Sequence, residues 1–350
     1  MTGALRVLVV DDSAFMRGAV ARVIESDSRF VVAGQARDGR EAVALAAKLR
    51  PDLITMDFNM PELNGAEATR AILAARAVPI VMLSAHTSDG ATATVEALAA
   101  GAVDFVEKPD GEVSANLSSI KEALLAKLAL AAGARVLPAP TAASAGPPSE
   151  PASKRLRAAP RAMPPGLRLV VIASSTGGPA ALVRVLPRLE LRGAALVIVQ
   201  HMPAGYTAAL AEQLAEKARF PVREARAGDA LEPGRALVAP GDRHLVIERS
   251  GRISLSDSPL VHGVRPAADV TLKGAALAFG ARAVGVVLTG MGRDGALGLA
   301  AMRAAGARTV AQSSETCTVY GMPKAAVELG VVDDVAPLDR IGDLVTSLIR

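Results

Sequence analysis

Short apolar runs alternate with amphipathic stretches along most of this chain. In the first third, the runs at 5–10, 30–34, 52–56, 80–83 and 103–106 read as strands, and 41–49, 66–76 and 92–100 carry helical spacing. Five β-α units within about 125 residues predict a doubly wound parallel sheet. The alternation stops at 133–165, where 17 of 33 residues are Ala or Pro, eight of them Pro. Such a stretch cannot bury enough surface to fold and reads as a semi-flexible linker. Its basic cluster, Lys154, Arg155, Arg157 and Arg161, is expected only to solubilise it.

From Leu167 a second α/β pattern begins. An apolar run, 169–173, ends in Ser174-Ser175-Thr176-Gly177-Gly178-Pro179, the layout of a buried strand, a tight turn and a helix start. Helices are predicted at 180–189, 208–218, 267–279, 296–304 and 341–349, and strands at 195–199, 236–239, 283–288 and 308–312. The runs 244–248 and 252–255 flank Arg249-Ser250-Gly251 as a β-hairpin. No internal repeat is visible. The expected domains are therefore 1–132, a linker 133–165, and 166–350.

Composition narrows the class. The chain of 350 residues is 51% hydrophobic but only 2% aromatic, so Leu, Val, Ile and Ala must fill the cores. A single cysteine, Cys317, excludes an internal disulfide and fits a reducing compartment. No apolar run is of membrane-spanning length, and Met1–Arg6 lacks a signal-peptide layout, so the expectation is a soluble cytoplasmic protein. Residues 1–132 hold 13 Lys/Arg and 17 Asp/Glu, a net −4; residues 133–350 hold 26 and 18, a net +8. Opposite charge favours docking of the two halves, or of the basic half on an acidic partner. With no basic helix and no aromatic stacking set, nucleic acid is not an expected partner.

Chemistry gathers at predicted strand ends. In the first half they carry Asp11-Asp12, Asp57, Ser84 and Glu107-Lys108-Pro109. Carboxylates crowded at one sheet edge repel unless a cation joins them, and Asp11, Asp12 and Asp57 make a hard oxygen site suited to Mg²⁺. In the second half, Ser174-Ser175, His201 and Asp294 each follow an apolar run, and parallel strands would bring them to one rim. A Ser hydroxyl is a poor nucleophile until a His takes its proton and a carboxylate holds that His. The plainer alternatives are a structural His201 and an Asp294 that caps a helix before Gly295. The turn also lacks the glycine and lysine patterns of a nucleotide-phosphate loop.

The first half resembles the response-regulator receiver domain. The matching residues are Val9-Val10-Asp11-Asp12-Ser13, Met56-Asp57-Phe58-Asn59-Met60-Pro61-Glu62-Leu63-Asn64-Gly65, Ser84-Ala85 and Phe105-Val106-Glu107-Lys108-Pro109. The resemblance implies a flavodoxin-like fold with Asp57 as phosphoacceptor. It implies Mg²⁺ held by Asp12, Asp57 and the carbonyl of Asn59, with Asp11 close by. Lys108 would contact the phosphoryl group, with Ser84 the switch hydroxyl and Phe105 the switch aromatic.

The second half resembles the CheB family of chemotaxis protein-glutamate methylesterase/glutaminases. The match rests on Ala173–Pro179, Val199-Gln200-His201-Met202-Pro203, Leu288–Ala296, and Ala311-Gln312 through Val319-Tyr320-Gly321-Met322-Pro323. The resemblance implies Ser175 as nucleophile, in preference to Ser174, His201 as base and Asp294 as its orienter. The N–H groups of Thr176 and Met291 are the implied oxyanion donors. It further implies hydrolysis of glutamate γ-methyl esters on chemoreceptors, deamidation of selected receptor glutamines, and a histidine kinase as phosphodonor. Contact with the membrane would come only through receptors. The docked receiver is expected to restrict access to Ser175. No metal is expected in this half, and His244, His262 and Cys317 are read as structural. Arg265-Pro266 is expected near the site. Asp294→Asn is expected to lower activity by orders of magnitude with little change in thermal stability, and a collapse of the fold would instead support the helix cap. The competing functional class is a phospho-regulated receptor adaptor with little catalysis.

Overall fold

The computed structural model describes residues 3–84, 88–108, 113–136 and 163–350, with only the helical backbone at 88–89 and 113–119. The chain divides into two compact units, Met1–Thr141 and Ala142–Arg350. Most of the expected linker, residues 137–162, lies outside the described residues, as do Ala85 and Pro109 of the quoted motifs.

In the first unit β1 (Leu5–Val10), β2 (Phe30–Ala36), β3 (Leu53–Asp57), β4 (Ile80–Ser84) and β5 (Asp104–Glu107) alternate with α1 (Ala14–Glu25), α2 (Gly39–Leu49), α3 (Gly65–Ala75), α4 (Ser88–Ala99) and α5 (Val113–Ala132). The strands pair in parallel in the order β2-β1-β3-β4-β5. Every residue of β3 and β4 is buried, which is why these strands are mostly apolar on both faces rather than alternating, with Thr55 the polar residue inside them. Val7, Val9, Leu53, Val81 and Leu83 pack against Ile24 of α1 and Leu124 and Leu128 of α5. Short polar side chains start the helices: Ser13 and Asp38 each accept an N–H of the first turn, and Asn64 with Glu67 forms a capping box. The chain leaves β1 for β2 on one side and returns to β3 on the other. The crevice at that reversal receives Asp11, Asp12 and Asp57.

The second unit runs β6 (Arg168–Ser174), α6 (Gly178–Val185), β7 (Ala194–Gln200), α7 (Tyr206–Lys217), β8 (Val222–Glu224), β9 (Ala236–Val238), β10 (His244–Ile247), β11 (Ile253–Ser256), α8 (Ala268–Phe279), β12 (Ala283–Val287), α9 (Ala296–Ala304), β13 (Arg308–Gln312), α10 (Met322–Glu328), β14 (Asp334–Ala336) and α11 (Leu338–Leu348). Seven strands form a parallel sheet in the order β14-β13-β12-β6-β7-β9-β8, and β10 and β11 form the expected antiparallel hairpin. Central residues such as Leu169, Val171, Val197 and Val287 pack on Leu272, Ala275 and Phe279 of α8 and Leu299 of α9.

Three details depart from the pattern. The helix expected at 180–189 ends at Val185 and continues as a 3₁₀ turn, Leu186–Arg188, because Pro187 has no N–H for an α-helical bond. Strands β8 and β14 were not expected; each has three residues at a sheet edge, too short a run to alternate visibly. Helix α10 was also not expected, since its seven residues span barely two turns. Among the described residues no helix is long and apolar enough to cross a membrane.

The topology decides where the chemistry collects. From central β6 the chain moves to β7, then to β8 at the edge and β9 between them, and only later returns to β12 on the other side of β6. The switch point therefore lies between β6 and β12, at the strand ends followed by Ser175 and the 288–295 turn, with His201 following β7 next door.

Candidate active site

The two serines at the end of β6 have opposite environments. Ser174 is fully buried, and its Oγ donates to Gln200 Oε1 at 2.7 Å. Ser175 is partly exposed. Its N–H donates to the Thr289 carbonyl and its own carbonyl accepts from Gly178 N, which fixes the turn into α6. Gly290 lies directly against it: a Cβ at Gly290 would sit 2.7 Å from Ser175 Cβ and 2.4 Å from Met322 Sδ. The turn after β12 therefore needs glycine where it approaches the serine, and Met291 is its next residue.

His201 and Asp294 are joined: His201 Nε2 lies 2.8 Å from Asp294 Oδ2, both side chains nearly fully buried. Because Nε2 faces the carboxylate, Nδ1 is the ring nitrogen left for another partner. Asp294 does more than hold the ring. Its Oδ2 also accepts from Ala268 N at 2.6 Å and its Oδ1 from Asp269 N at 2.9 Å, so it caps α8, a helix 26 residues away in sequence. Burial pushes the Asp294 carboxyl up, but the His201 hydrogen bond and charge and the two N–H groups outweigh it and hold it below the ordinary carboxylate range.

Around this pair stand residues to which the sequence reading assigned no role. Asp269 Oδ1 accepts from Gly295 N and Gly298 N, and its Oδ2 pairs with His262 Nε2 at 2.9 Å. His262, Asp269 and Asp294 form a close cluster. Its carboxylate oxygens already accept hydrogen bonds, which is how two buried like charges are tolerated. Thr289 Oγ1 donates to the Thr176 carbonyl, and its N–H reaches Gln312 Oε1. Gln200 ends the apolar strand β7 and Gln312 ends β13, and an amide at a strand's last position is the sequence signal that could have found them.

Of the remaining expectations, Thr176 is buried in the turn after Ser175, and the Met291 side chain is exposed. Arg265-Pro266 leads into Ala267–Ala268, the N-terminal end of α8 on which Asp294 sits. His244 is buried, with Nε2 near the Pro259 carbonyl and Nδ1 accepting from Ala267 N. Cys317 is a buried free thiol.

In the first unit the expected residues also converge. Carboxylate oxygens of Asp11, Asp12 and Asp57 lie within 4.8 Å of one another. Lys108 Nζ sits 2.7 Å from both Asp11 Oδ2 and Asp57 Oδ1. Burial pushes the Asp57 carboxyl up to about 6; Lys108 opposes this and Asp11 adds to it. Burial disfavours charge on Lys108, but the two carboxylates beside it raise its pKa overall. One ammonium against three carboxylates leaves an excess of negative charge on hard oxygen donors, and Asn59 follows Asp57 by two residues, so the residues present fit Mg²⁺. Ser84 is buried, and its Oγ accepts from Thr94 Oγ1 on α4 at 2.6 Å. Phe105 is half-buried on β5.

Comparison with known proteins agrees with both halves. The profile described as CheB methylesterase matches residues 170–345, and that of the response regulator receiver domain matches residues 7–116. A protein-glutamate methylesterase/protein-glutamine glutaminase of Symbiobacterium thermophilum is 47% identical over 99% of this chain and 97% of its own. A protein of the same name from Pyrococcus horikoshii is 43% identical over 99% and 94%. The crystal structure of the Thermotoga maritima CheB methylesterase catalytic domain is 40% identical, covers 52% of this chain and 98% of its own, and superposes with a TM-score of 0.50. With a receiver domain ahead of an esterase domain and relatives matched from end to end, the chain belongs to the CheB methylesterase family.

Proposed function

We propose that this protein hydrolyses glutamate γ-methyl esters on chemoreceptors, releasing methanol, and deamidates selected receptor glutamines. Ser175 Oγ attacks the side-chain carbonyl while His201 takes its proton through Nδ1. Asp294 holds Nε2 and stabilises the imidazolium that forms. The N–H groups of Thr176 and Met291 receive the oxyanion. The protonated ring then gives its proton to the leaving methoxide or amine, and water repeats the sequence on the acyl-enzyme to leave glutamate. Ester and amide pass through the same tetrahedral centre, so one site serves both. The observation that carries this reading is a partly exposed Ser175 and a buried His201–Asp294 pair at adjoining ends of β6, β7 and β12.

Control is proposed to enter at Asp57, phosphorylated by a histidine kinase. Asp12, Asp57 and the Asn59 carbonyl would hold Mg²⁺, with Asp11 beside them, and the ion would supply positive charge against phosphoryl oxygens. Lys108 adds the protein's own cation. Ser84, whose Oγ accepts from Thr94 Oγ1, would turn its own O–H toward a phosphoryl group, and Phe105 would move with it. The unphosphorylated receiver holds the esterase at low activity. The deciding experiment is methanol release from methylated receptor membranes, with and without acetyl phosphate and Mg²⁺. Release that rises with phosphodonor supports the reading, and receptor binding without methanol or ammonia would leave only an adaptor.

A further inference from the structure

Gln200 is the last residue of β7 and is almost wholly buried. Its amide has three partners, the last residue of β6 and the two residues Ser175 and His201 that follow β6 and β7. Nε2 donates to the main-chain carbonyl of Ser175 at 2.9 Å and to that of His201 at 3.2 Å, while Oε1 accepts from Ser174 Oγ at 2.7 Å. Turned over, the amide would set its oxygen against two carbonyl oxygens, so one orientation is selected. Gly178 leaves space for it: a Cβ there would lie 2.0 Å from Oε1. The strand ladder brings β6 and β7 side by side and ends with His201 N donating to the Ser174 carbonyl at 3.1 Å. Ser175 and His201 lie just beyond the last residues of those strands, and the Ser175 carbonyl also accepts from Gly178 N at 2.7 Å within its own turn. The Gln200 amide ties their carbonyls to each other.

We propose that Gln200 is a positioning residue for the hydrolysis, setting the spacing of Ser175 and His201 by holding the carbonyl of each. This rests on the reading of Ser175 as nucleophile and His201 as base. Proton transfer between them needs a heavy-atom separation of about 2.6–3.2 Å, and a misplacement of about 1 Å costs on the order of 10²-fold in rate. An apolar side chain would fill the same volume without a need for partners. Full satisfaction of a buried amide by these particular carbonyls is what sets a positioning role apart from packing.

The test uses the full chain and four variants. Gln200→Met keeps length without hydrogen bonds, Gln200→Glu keeps shape without the two donors, Gln200→Asn is too short for both carbonyls, and Ser174→Ala removes only the partner of Oε1. The readouts are kcat and KM for methanol release, the rate of Ser175 modification by a sulfonyl fluoride, and the folded fraction. Per folded molecule, Gln200→Met should lose about 10²-fold in kcat and in modification rate together, with KM unchanged. Ser174→Ala should lose less, and adding it to Gln200→Met should cost nothing more, because the shared bond is already gone. Native kcat and modification rate in folded Gln200 variants would overturn the proposal, as would a loss that only tracks the folded fraction. Should the Met variant not fold, the Asn and Glu arms decide by the same per-molecule readouts. A Ser175→Ala control separates the two ideas: activity surviving there refutes the nucleophile itself, whereas a dead control with unimpaired Gln200 variants refutes only the clamp.

Discussion

Asp294 and Asp269 cap each other's helices. Asp294 accepts the N–H groups of Ala268 and Asp269 at the start of α8, and Asp269 accepts those of Gly295 and Gly298 at the start of α9. Each also holds a histidine, His201 and His262 respectively. The carboxylate proposed to orient the base is thus part of the frame of the fold, and the expectation that Asp294→Asn is harmless to stability has to change.

Asp294→Asn offers one oxygen where two are used and turns an amide N–H₂ toward donors. Activity should fall by about 10⁴-fold, as expected when the imidazole tautomer is lost. Stability should fall as well, by about 1–3 kcal/mol, since a buried acceptor is replaced by a donor. Urea unfolding beside the methanol assay checks both. A variant as stable as the native chain would show that the α8 cap contributes nothing.

The same carboxyl predicts a pH dependence. Its folded pKa is depressed, with burial outweighed by His201 and the α8 N–H groups, so its contribution to stability is present above the unfolded carboxylate value. That contribution is lost as pH falls through the folded value, beginning below about pH 4. The stability gap between the native chain and Asp294→Asn should therefore be constant near neutrality and close in acid. A gap that widens in acid would reverse the assigned direction.

Ser175→Ala removes a partly exposed hydroxyl, so unfolding should be unchanged while ester hydrolysis drops by roughly 10⁴- to 10⁶-fold. Ser174→Ala should do the opposite. It leaves Gln200 Oε1 buried without its donor, costing about 1–3 kcal/mol of stability, and retains most of the hydrolysis. A dead Ser174→Ala with an active Ser175→Ala would move the nucleophile by one residue.

Gly290→Ala would drive a methyl group against Ser175 Cβ and Met322 Sδ. Met322 can yield, but the serine turn is held by its own hydrogen bonds, so the 290–292 turn must withdraw. Hydrolysis should fall by about 10²-fold with the chain still folded. Unaltered kcat in this variant would show that the turn's close approach to Ser175 has no part in the reaction.

Removing residues 1–132 should raise basal methanol release and abolish any response to acetyl phosphate. Asp57→Asn should keep basal activity low and also ignore the phosphodonor. A restraint of a few kcal/mol corresponds to tens- to hundreds-fold in activity. If the deletion is no more active than the unphosphorylated chain, the receiver does not restrain the esterase and serves some other purpose, such as delivery to the receptor.

Local chemistry made most of the architecture readable from the sequence. Unbroken apolar runs such as 80–83 and 169–173 announce parallel strands because both faces of such strands are covered, and strand-end Asp11, Asp57, Ser175, His201 and Asp294 follow from where the runs stop. The short edge strands β8 and β14 stayed hidden because they are three residues long and carry charged side chains, whereas β9, equally short, is apolar throughout. Which serine is buried, which nitrogen of His201 faces Asp294, and that Asp294 caps a helix 26 residues away were decided only by the tertiary structure. The roles of Gln200 and Asp269 belong with them. Those relationships join residues that are distant along the chain, and hydrogen bonds depend on distance and direction in space. Periodicity and spacing determine where a strand ends, but what a side chain meets there depends on the strand order that brings its neighbours in.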